Sequence, residues 1–217
     1  MSRKMFMALL TVTALGLRGV AAQEALPRAG GSGVLDEWSS VKAPPPPPLT
    51  ELRLDPRNTA LLVLDMQHAL VDAASRPRAA AAVPAFAALL ARARGAGAFV
   101  AYSTIPRGTS ADIFPELAPA AGEPVVHAGV DKFFGTELDA ILKSRGIRTL
   151  IVTGTVANGA VLFTATEAAL RGYKVVVPVD CMPAADPYAE QFTAWQLVNG
   201  PGTRNAAVLV RSEGIGF

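Results

Sequence analysis

The residues best placed to do chemistry lie where a buried segment meets a turn. Residues 150–152 form an apolar run typical of a buried strand, the small and polar residues 153–160 indicate a turn, and the apolar spacing over 162–170 predicts a helix. Such a unit places backbone N–H groups at the carboxyl edge of a parallel sheet, where ligands bind in open α/β folds. Helix N-termini also favour anions and developing negative charge. We therefore expect the active site at this turn.

Two ionisable side chains follow other strands of the same pattern. Asp65 ends the apolar run 59–64, so its carboxylate is expected at the same sheet edge, either as a helix cap or as an acid–base catalyst. A carboxylate there is costly to bury unless it is paired or hydrogen-bonded. Lys132 lies between Asp131 and Phe133. It is either a partly desolvated cation facing the site or a surface lysine with a buried stem.

Apolar runs alternate with helical patterns along the chain and predict the elements that position these groups. We expect strands near 59–65, 98–103, 124–126, 149–153, 174–179 and 206–210, and helices near 78–94, 137–145, 160–171 and 186–198. This alternation predicts an α/β protein, a three-layer Rossmann-like fold with a mostly parallel six-stranded sheet. The irregular stretch 105–122 is longer than a connector requires, so we expect it to cover the site.

The first 49 residues have a different pattern. Residues 1–22 combine a basic start, an apolar run and small residues before Gln23, which predicts a signal peptide. An uncleaved membrane anchor is the alternative, although the run is shorter than the ~20 residues of a membrane span. Residues 23–49 are rich in glycine and proline and are expected to form a tail and spacer, or else a bait for proline-binding partners. The domain is then expected over 50–217.

Composition limits the partners and the compartment. Without the leader residues Arg3, Lys4 and Arg18, 17 basic and 18 acidic residues remain. We expect no nucleic-acid partner, because that requires a basic face. The low charge and the many Ala, Pro and Arg residues are typical of bacteria, so we expect a periplasmic or secreted protein without stable membrane association. Cys181 is the only cysteine, which excludes an internal disulfide.

Three segments occur in the order found in one known family. They are Leu-Asp-Met-Gln at 64–67, Lys-Phe-Phe-Gly-Thr-Glu-Leu at 132–138 and Val-Thr-Gly-Thr-Val-Ala-Asn-Gly-Ala-Val at 152–161. Over residues 58–210 the sequence resembles the isochorismatase-like hydrolases, or cysteine hydrolases, which include nicotinamidases, carbamoyl amidases and isochorismatase. The resemblance implies a small-molecule substrate and a homo-oligomer.

The family's catalytic triad is incomplete in this sequence. The resemblance implies that Asp65 and Lys132 match the family's Asp and Lys, whereas Ala160 occupies the position of the nucleophilic cysteine. Alanine carries no nucleophile, so thioester chemistry is not expected there. Cys181 lies after a later strand and is expected to be a buried structural thiol rather than a relocated nucleophile.

Isochorismatase itself resembles this chain in carrying a small residue at the nucleophile position. The resemblance implies Asp65 as general acid and Lys132 as the residue that tunes it and orients substrate. It also implies a cis peptide bond at Thr155–Val156 and backbone N–H donors at Val156 and Ala160. Further substrate-binding candidates are Gln67, Asn158, Gly159 and Phe133. Isochorismatase has a histidine at the position of Asn158, so its substrate does not transfer.

No metal or other cofactor is expected. The nicotinamidases bind zinc through an Asp and clustered histidines after the second strand, but residues 103–112 include no histidine. His68 is a secondary candidate for lining the pocket, with packing or solvent exposure as the alternative. Trp195 and Tyr188 are expected in the core or in oligomer contacts.

Two functions stay open at this point. The first is an exported family hydrolase that cleaves an ether or C–N bond of a small molecule by Asp/Lys acid–base chemistry. The alternative is a catalytically inactive member that serves as a small-molecule binding or scaffold protein. Retention of Asp65 and Lys132 favours the enzyme, since a pure binder has less need of an acid–base pair. The missing cysteine favours the binder.

Overall fold

A computed structural model describes residues 33–217, and the predicted signal peptide lies outside this range. The described part of the first compact unit, which ends at Ala43, contains a short helix, α1 (Val34–Glu37). The second unit runs from Pro44 to Phe217 and so includes the proline run of the predicted spacer. In that run, the carbonyl of Pro44 accepts a hydrogen bond from the side-chain amide of Gln191 at 2.8 Å.

The second unit is built on one parallel sheet. Its strands are β1 (Thr50–Arg53), β2 (Thr59–Leu64), β3 (Phe99–Thr104), β4 (Val125–His127), β5 (Thr149–Gly154), β6 (Lys174–Pro178) and β7 (Ala207–Gly216). The order across the sheet is β1-β7-β6-β5-β2-β3-β4, and every neighbouring pair is parallel.

The sheet has seven strands where the sequence predicted six. The additional strand is β1, which lies at the edge and pairs only with β7. Three of its four residues are exposed. It therefore lacks the apolar run that marks a central parallel strand.

Helices cover both faces of the sheet and make three layers, as predicted. They are α2 (Pro77–Gly95), α3 (Leu138–Ser144), α4 (Leu162–Leu170) and α5 (Pro187–Asn199). Alternate residues of β2 point to opposite faces of the sheet. Leu62 belongs to the core that also contains residues of α3, α4 and α5, whereas Val63 belongs to the core that contains residues of α2. No described helix is long and apolar enough to cross a membrane.

Two aromatic residues of α5 differ from their expected places. Tyr188 is 69% exposed and Trp195 is 38% exposed, so neither lies in the core. Their role in oligomer contacts stays a prediction.

The chain reverses its direction of travel across the sheet between β2 and β5. From β2 it moves outward to β3 and β4, and from β5 it moves the other way to β6 and β7. The register aligns the ends of the central strands, because Leu64 of β2 lies opposite Gly154 of β5 and Ser103 of β3. The crevice beyond these ends is the topological switch point at which open α/β sheets bind ligands.

Gly154 allows β2 and β5 to meet closely at this crevice. Its φ is +143°, and a Cβ there would lie 2.3 Å from the carbonyl oxygen of Leu64. We expect Gly154→Ala to lower the free energy of unfolding by about 3 kcal/mol or more, since strained φ and a clash with backbone act together.

The matched control is Gly146→Ala, where φ is +68° and no atom lies within 4 Å of an added Cβ. Only the left-handed conformation is penalised there, at about 1–2 kcal/mol. Urea denaturation of both variants measures the difference, and equal losses would contradict the close approach.

Candidate active site

Asp65 lies immediately beyond β2 and is held on both its backbone and its side chain. Its N–H donates to the carbonyl of Ser103 at 3.1 Å. The Ser103 hydroxyl donates to Oδ1 at 2.7 Å, and Nζ of Lys132 donates to Oδ2 at 2.6 Å. The φ of Asp65 is +54°, a left-handed conformation that aspartate adopts more readily than most residues. These contacts turn a residue that is only 5% exposed toward Lys132.

Lys132 is a buried member of the site and not a surface lysine, since its exposed fraction is 0%. Besides Asp65, its Nζ donates to the carbonyls of Ala128 at 3.3 Å and Gly129 at 2.5 Å. An ammonium group has three donors, so all of them are used inside the protein. Lys132 therefore orients and neutralises Asp65 and keeps no N–H for substrate in this arrangement.

Thr164 connects the Lys132 segment to the turn that the sequence singled out. Its hydroxyl accepts the N–H of Lys132 at 3.3 Å and donates to the carbonyl of Val130 at 3.3 Å. Thr164 lies four residues after Ala160, so the two positions share one face of the chain as it enters α4. Contacts thus run from Asp65 through Lys132 to α4, whose N-terminus follows Ala160.

The turn at Ala157–Val161 has the local geometry that the resemblance implied. The Thr155–Val156 peptide bond is cis, and the N–H of Thr155 donates to the carbonyl of Leu64 at 3.1 Å, which ties the turn to β2. Ala160 is 4% exposed, and Asn158 is exposed. Gly159, with φ −122° and ψ −108°, interrupts the helical conformation.

Two polar groups just before this turn have no hydrogen-bond partner within residues 33–217. The N–H of Val156 donates to no other group within residues 33–217. The Thr155 hydroxyl is buried and also lacks a hydrogen-bond partner in that part of the chain. Buried polar groups are normally paired, so unpaired groups beside an acid–base pair are suited to bind a polar molecule.

Gln67 contacts the long loop that follows β3 through one side-chain hydrogen bond and one backbone bridge. Its Oε1 accepts the N–H of Ile105 at 2.9 Å, and its backbone forms an antiparallel bridge with Ile113. A Cβ on Gly108 would lie 2.1 Å from Nε2 of Gln67, so a larger residue there would displace the end of the Gln67 side chain. The loop therefore lies against the segment that follows Asp65. Gln67 was predicted to bind substrate, but its side-chain oxygen is used to hold the loop.

Two other candidates pack against their neighbours. Phe133 is buried and stacks on Tyr173, with ring centroids 6.1 Å apart, while the guanidinium of Arg171 lies 5.1 Å from the ring centroid. These contacts explain Phe133 as a core residue, and its substrate-binding role stays a prediction. His68 is exposed, and its ring packs against that of Phe114 in a tilted arrangement with centroids 4.8 Å apart, so it contacts the loop.

Cys181 is a fully buried thiol, and it lies in the core beneath α2, whereas Ala160 belongs to the core on the opposite face of the sheet. Burial is the main cause that raises the pKa of the Cys181 thiol, with the nearby charge of Asp180 acting in the same direction. Because the thiolate is the nucleophile, Cys181 is inert in this position. It does not replace the missing cysteine.

Ser103 and Thr164 were not predicted from the sequence as residues of the site. Both are hydroxyl residues in segments whose neighbours are mostly apolar, which is the only signal that could have marked them. Residues 33–217 contain no cluster of three His, Cys, Asp or Glu side chains able to hold a metal ion.

Known proteins match the greater part of this chain. Residues 59–211 match the family model of the isochorismatase domain. An N-carbamoylsarcosine amidase from Arthrobacter sp is 34% identical over 105 residues, covering 45% of this chain and 40% of that protein. A streptothricin hydrolase from Streptomyces noursei is 34% identical over 138 residues, covering 58% of this chain and 50% of that protein. The chain thus spans half or less of the length of these two relatives.

A solved structure agrees with the fold. The isochorismatase family protein from Desulfovibrio vulgaris superposes with a TM-score of 0.64 at 28% identity, covering 72% of this chain and 95% of that chain. The three segments through which the sequence resembles this group contain Asp65, Lys132 and the cis Thr155–Val156 bond. On the match over residues 59–211, the chain belongs to the isochorismatase family.

Proposed function

We propose that this protein is a hydrolase that acts on a small molecule through Asp65 and Lys132, without a cysteine nucleophile. The observation that carries the proposal is the buried ion pair, in which Nζ of Lys132 lies 2.6 Å from Oδ2 of Asp65. Replacing such a pair by apolar residues is often neutral or stabilising. Stability therefore does not explain why it is present at the switch point, and acid–base chemistry does.

Water is the nucleophile in this proposal. Its oxygen would bond to the substrate carbon while its proton passes to Asp65, and Asp65 would return that proton to the leaving nitrogen or oxygen as the scissile bond breaks. Lys132 stays protonated and offsets the charge of Asp65. The N–H groups of Val156 and Ala160 would donate to a carbonyl oxygen that gains negative charge. For a vinyl ether, Asp65 in its protonated form would first protonate the vinyl carbon. Water would then add to the resulting oxocarbenium carbon and return a proton to Asp65, and the C–O bond of the hemiacetal would break to release the alcohol.

The names of relatives favour a C–N bond in an amide-like substrate. They include an N-carbamoylsarcosine amidase and a maleamate amidohydrolase from Pseudomonas putida, which is 27% identical over 154 residues. An ether bond is the second possibility, because Ala160 supplies no thiol for an acyl intermediate. Export to the periplasm or the medium and assembly into a homo-oligomer stay predictions.

The second candidate function is a small-molecule binding protein without turnover. The observation that favours it is Ala160, since the family's amidases use a cysteine at that position. Both candidates use the same site around Asp65 and Ala160 and differ only in whether bound molecules are cleaved.

We expect the chain from residue 23 onward to hydrolyse at least one member of a panel of small amides, enol esters and vinyl ethers. Asp65→Asn should lower kcat/KM at least about 100-fold, the contribution typical of a general acid or base. The control is Asp55→Asn, which changes an exposed carboxylate paired with Arg57 and should leave kcat/KM unchanged. Binding of panel members without any turnover would support the binding protein instead.

Ala160→Cys tests whether this position faces Lys132. The added thiol should be alkylated by iodoacetamide at a lower pH than an ordinary cysteine of pKa about 8.5, because a neighbouring cation and a helix N-terminus lower a thiol pKa. Cys181 is buried and should not react with iodoacetamide. The control is Ala88→Cys on the exposed face of α2, which should react as an ordinary thiol. Equal pH profiles for the two variants would contradict the site.

A further inference from the structure

We propose that Ser103 is the positioning residue of this site and acts through Asp65. The inference rests on the proposed function, because it gives Ser103 a task only if Asp65 exchanges protons. Ser103 lies near the end of β3, is fully buried, and is opposite Leu64 in the register of the sheet. The family resemblance did not single it out.

Ser103 forms two hydrogen bonds with Asp65. Its carbonyl accepts the Asp65 N–H at 3.1 Å, and its hydroxyl donates to Oδ1 at 2.7 Å. The first bond supports the left-handed backbone of Asp65, whose φ is +54°. The second fixes which carboxylate oxygen faces Lys132. Removing the hydroxyl alone would leave the backbone bond in place and release only the carboxylate.

Lys132 cannot orient the carboxylate by itself. Two of its three donors are committed to the carbonyls of Ala128 and Gly129, so Nζ is a fixed point. With a single fixed donor, the Asp65 carboxylate could still rotate and present either oxygen to Lys132. With Ser103 on Oδ1 and Lys132 on Oδ2, the plane of the Asp65 carboxylate is defined.

A buried hydroxyl in a strand can simply donate to a backbone carbonyl, as Thr153 illustrates. On β5, Thr153 is also fully buried, and its Oγ1 donates to the backbone carbonyl of Leu62 at 2.7 Å. Ser103 donates to the site carboxylate instead. The three residues that precede Ser103 in β3, Val100, Ala101 and Tyr102, are buried and carry no aliphatic hydroxyl.

The hydroxyl also suits both protonation states of Asp65. Lysine can only donate hydrogen bonds, whereas a serine hydroxyl can donate or accept. Ser103 therefore can donate to the ionised carboxylate and accept from the protonated acid. It keeps Asp65 in place through a cycle in which the proton arrives and leaves.

The test uses the thiol of Ala160→Cys as a reporter, so it needs no known substrate. Ser103→Ala, Ser103→Thr and Thr153→Val are each added to Ala160→Cys, and the rate of alkylation by iodoacetamide is followed from pH 5 to 10. Ser103→Ala should raise the midpoint by about one pH unit, a tenfold loss of thiolate near neutral pH. The reason is that a released Asp65 carboxylate turns toward the thiol and raises its pKa.

Ser103→Thr keeps the hydroxyl and should preserve the midpoint, as should Thr153→Val, which removes a buried hydroxyl that does not touch Asp65. If Ser103→Ala does not fold, the isosteric pair Ser103→Thr and Ser103→Val isolates the hydroxyl. An unchanged midpoint in the variant lacking the hydroxyl, or an equal shift in Thr153→Val, overturns the role of Ser103. An ordinary profile in Ala160→Cys alone contradicts instead the arrangement of Asp65, Lys132 and Ala160 on which the proposed function rests.

Discussion

The buried ion pair between Asp65 and Lys132 is the constraint on which the arrangement of this protein depends. A buried charge requires a partner and hydrogen bonds on its remaining donors or acceptors. Lys132 meets this demand with one carboxylate oxygen and two backbone carbonyls. Asp65 meets it with Lys132 and Ser103. The segment 128–132 and the end of β3 must therefore come together around the end of β2.

The fold brings these segments together because the chain changes its direction across the sheet between β2 and β5. Three strand ends converge there, and Gly154 allows the backbones of β2 and β5 to approach closely. Thr164 then joins the Lys132 segment to α4. The loop fastened by Gln67 lies along the same edge. Ordinary packing of an α/β fold thus delivers one acid, one cation and a helix N-terminus to a single crevice.

The framework around the turn is intact although Ala160 stands where the resemblance places the family's nucleophile. Ala160 is buried at the turn, the cis peptide bond is present, and the acid–base pair is intact. In the proposed function such a turn holds and polarises a substrate carbonyl, the attacking atom comes from water, and Asp65 takes up and returns the proton.

The sequence by itself determined the parts of the protein that depend on local pattern. The apolar runs predicted the five central strands, which are buried on both faces, and the short edge strand β4. The motifs pointed to Asp65, Lys132 and the turn at Ala160. Tertiary structure alone decided the roles of Ser103 and Gln67, because a hydroxyl or amide does not reveal its partner when that partner lies 38 residues away. It also decided that Lys132 is buried, which depends on carbonyls that only the folded chain brings to Nζ.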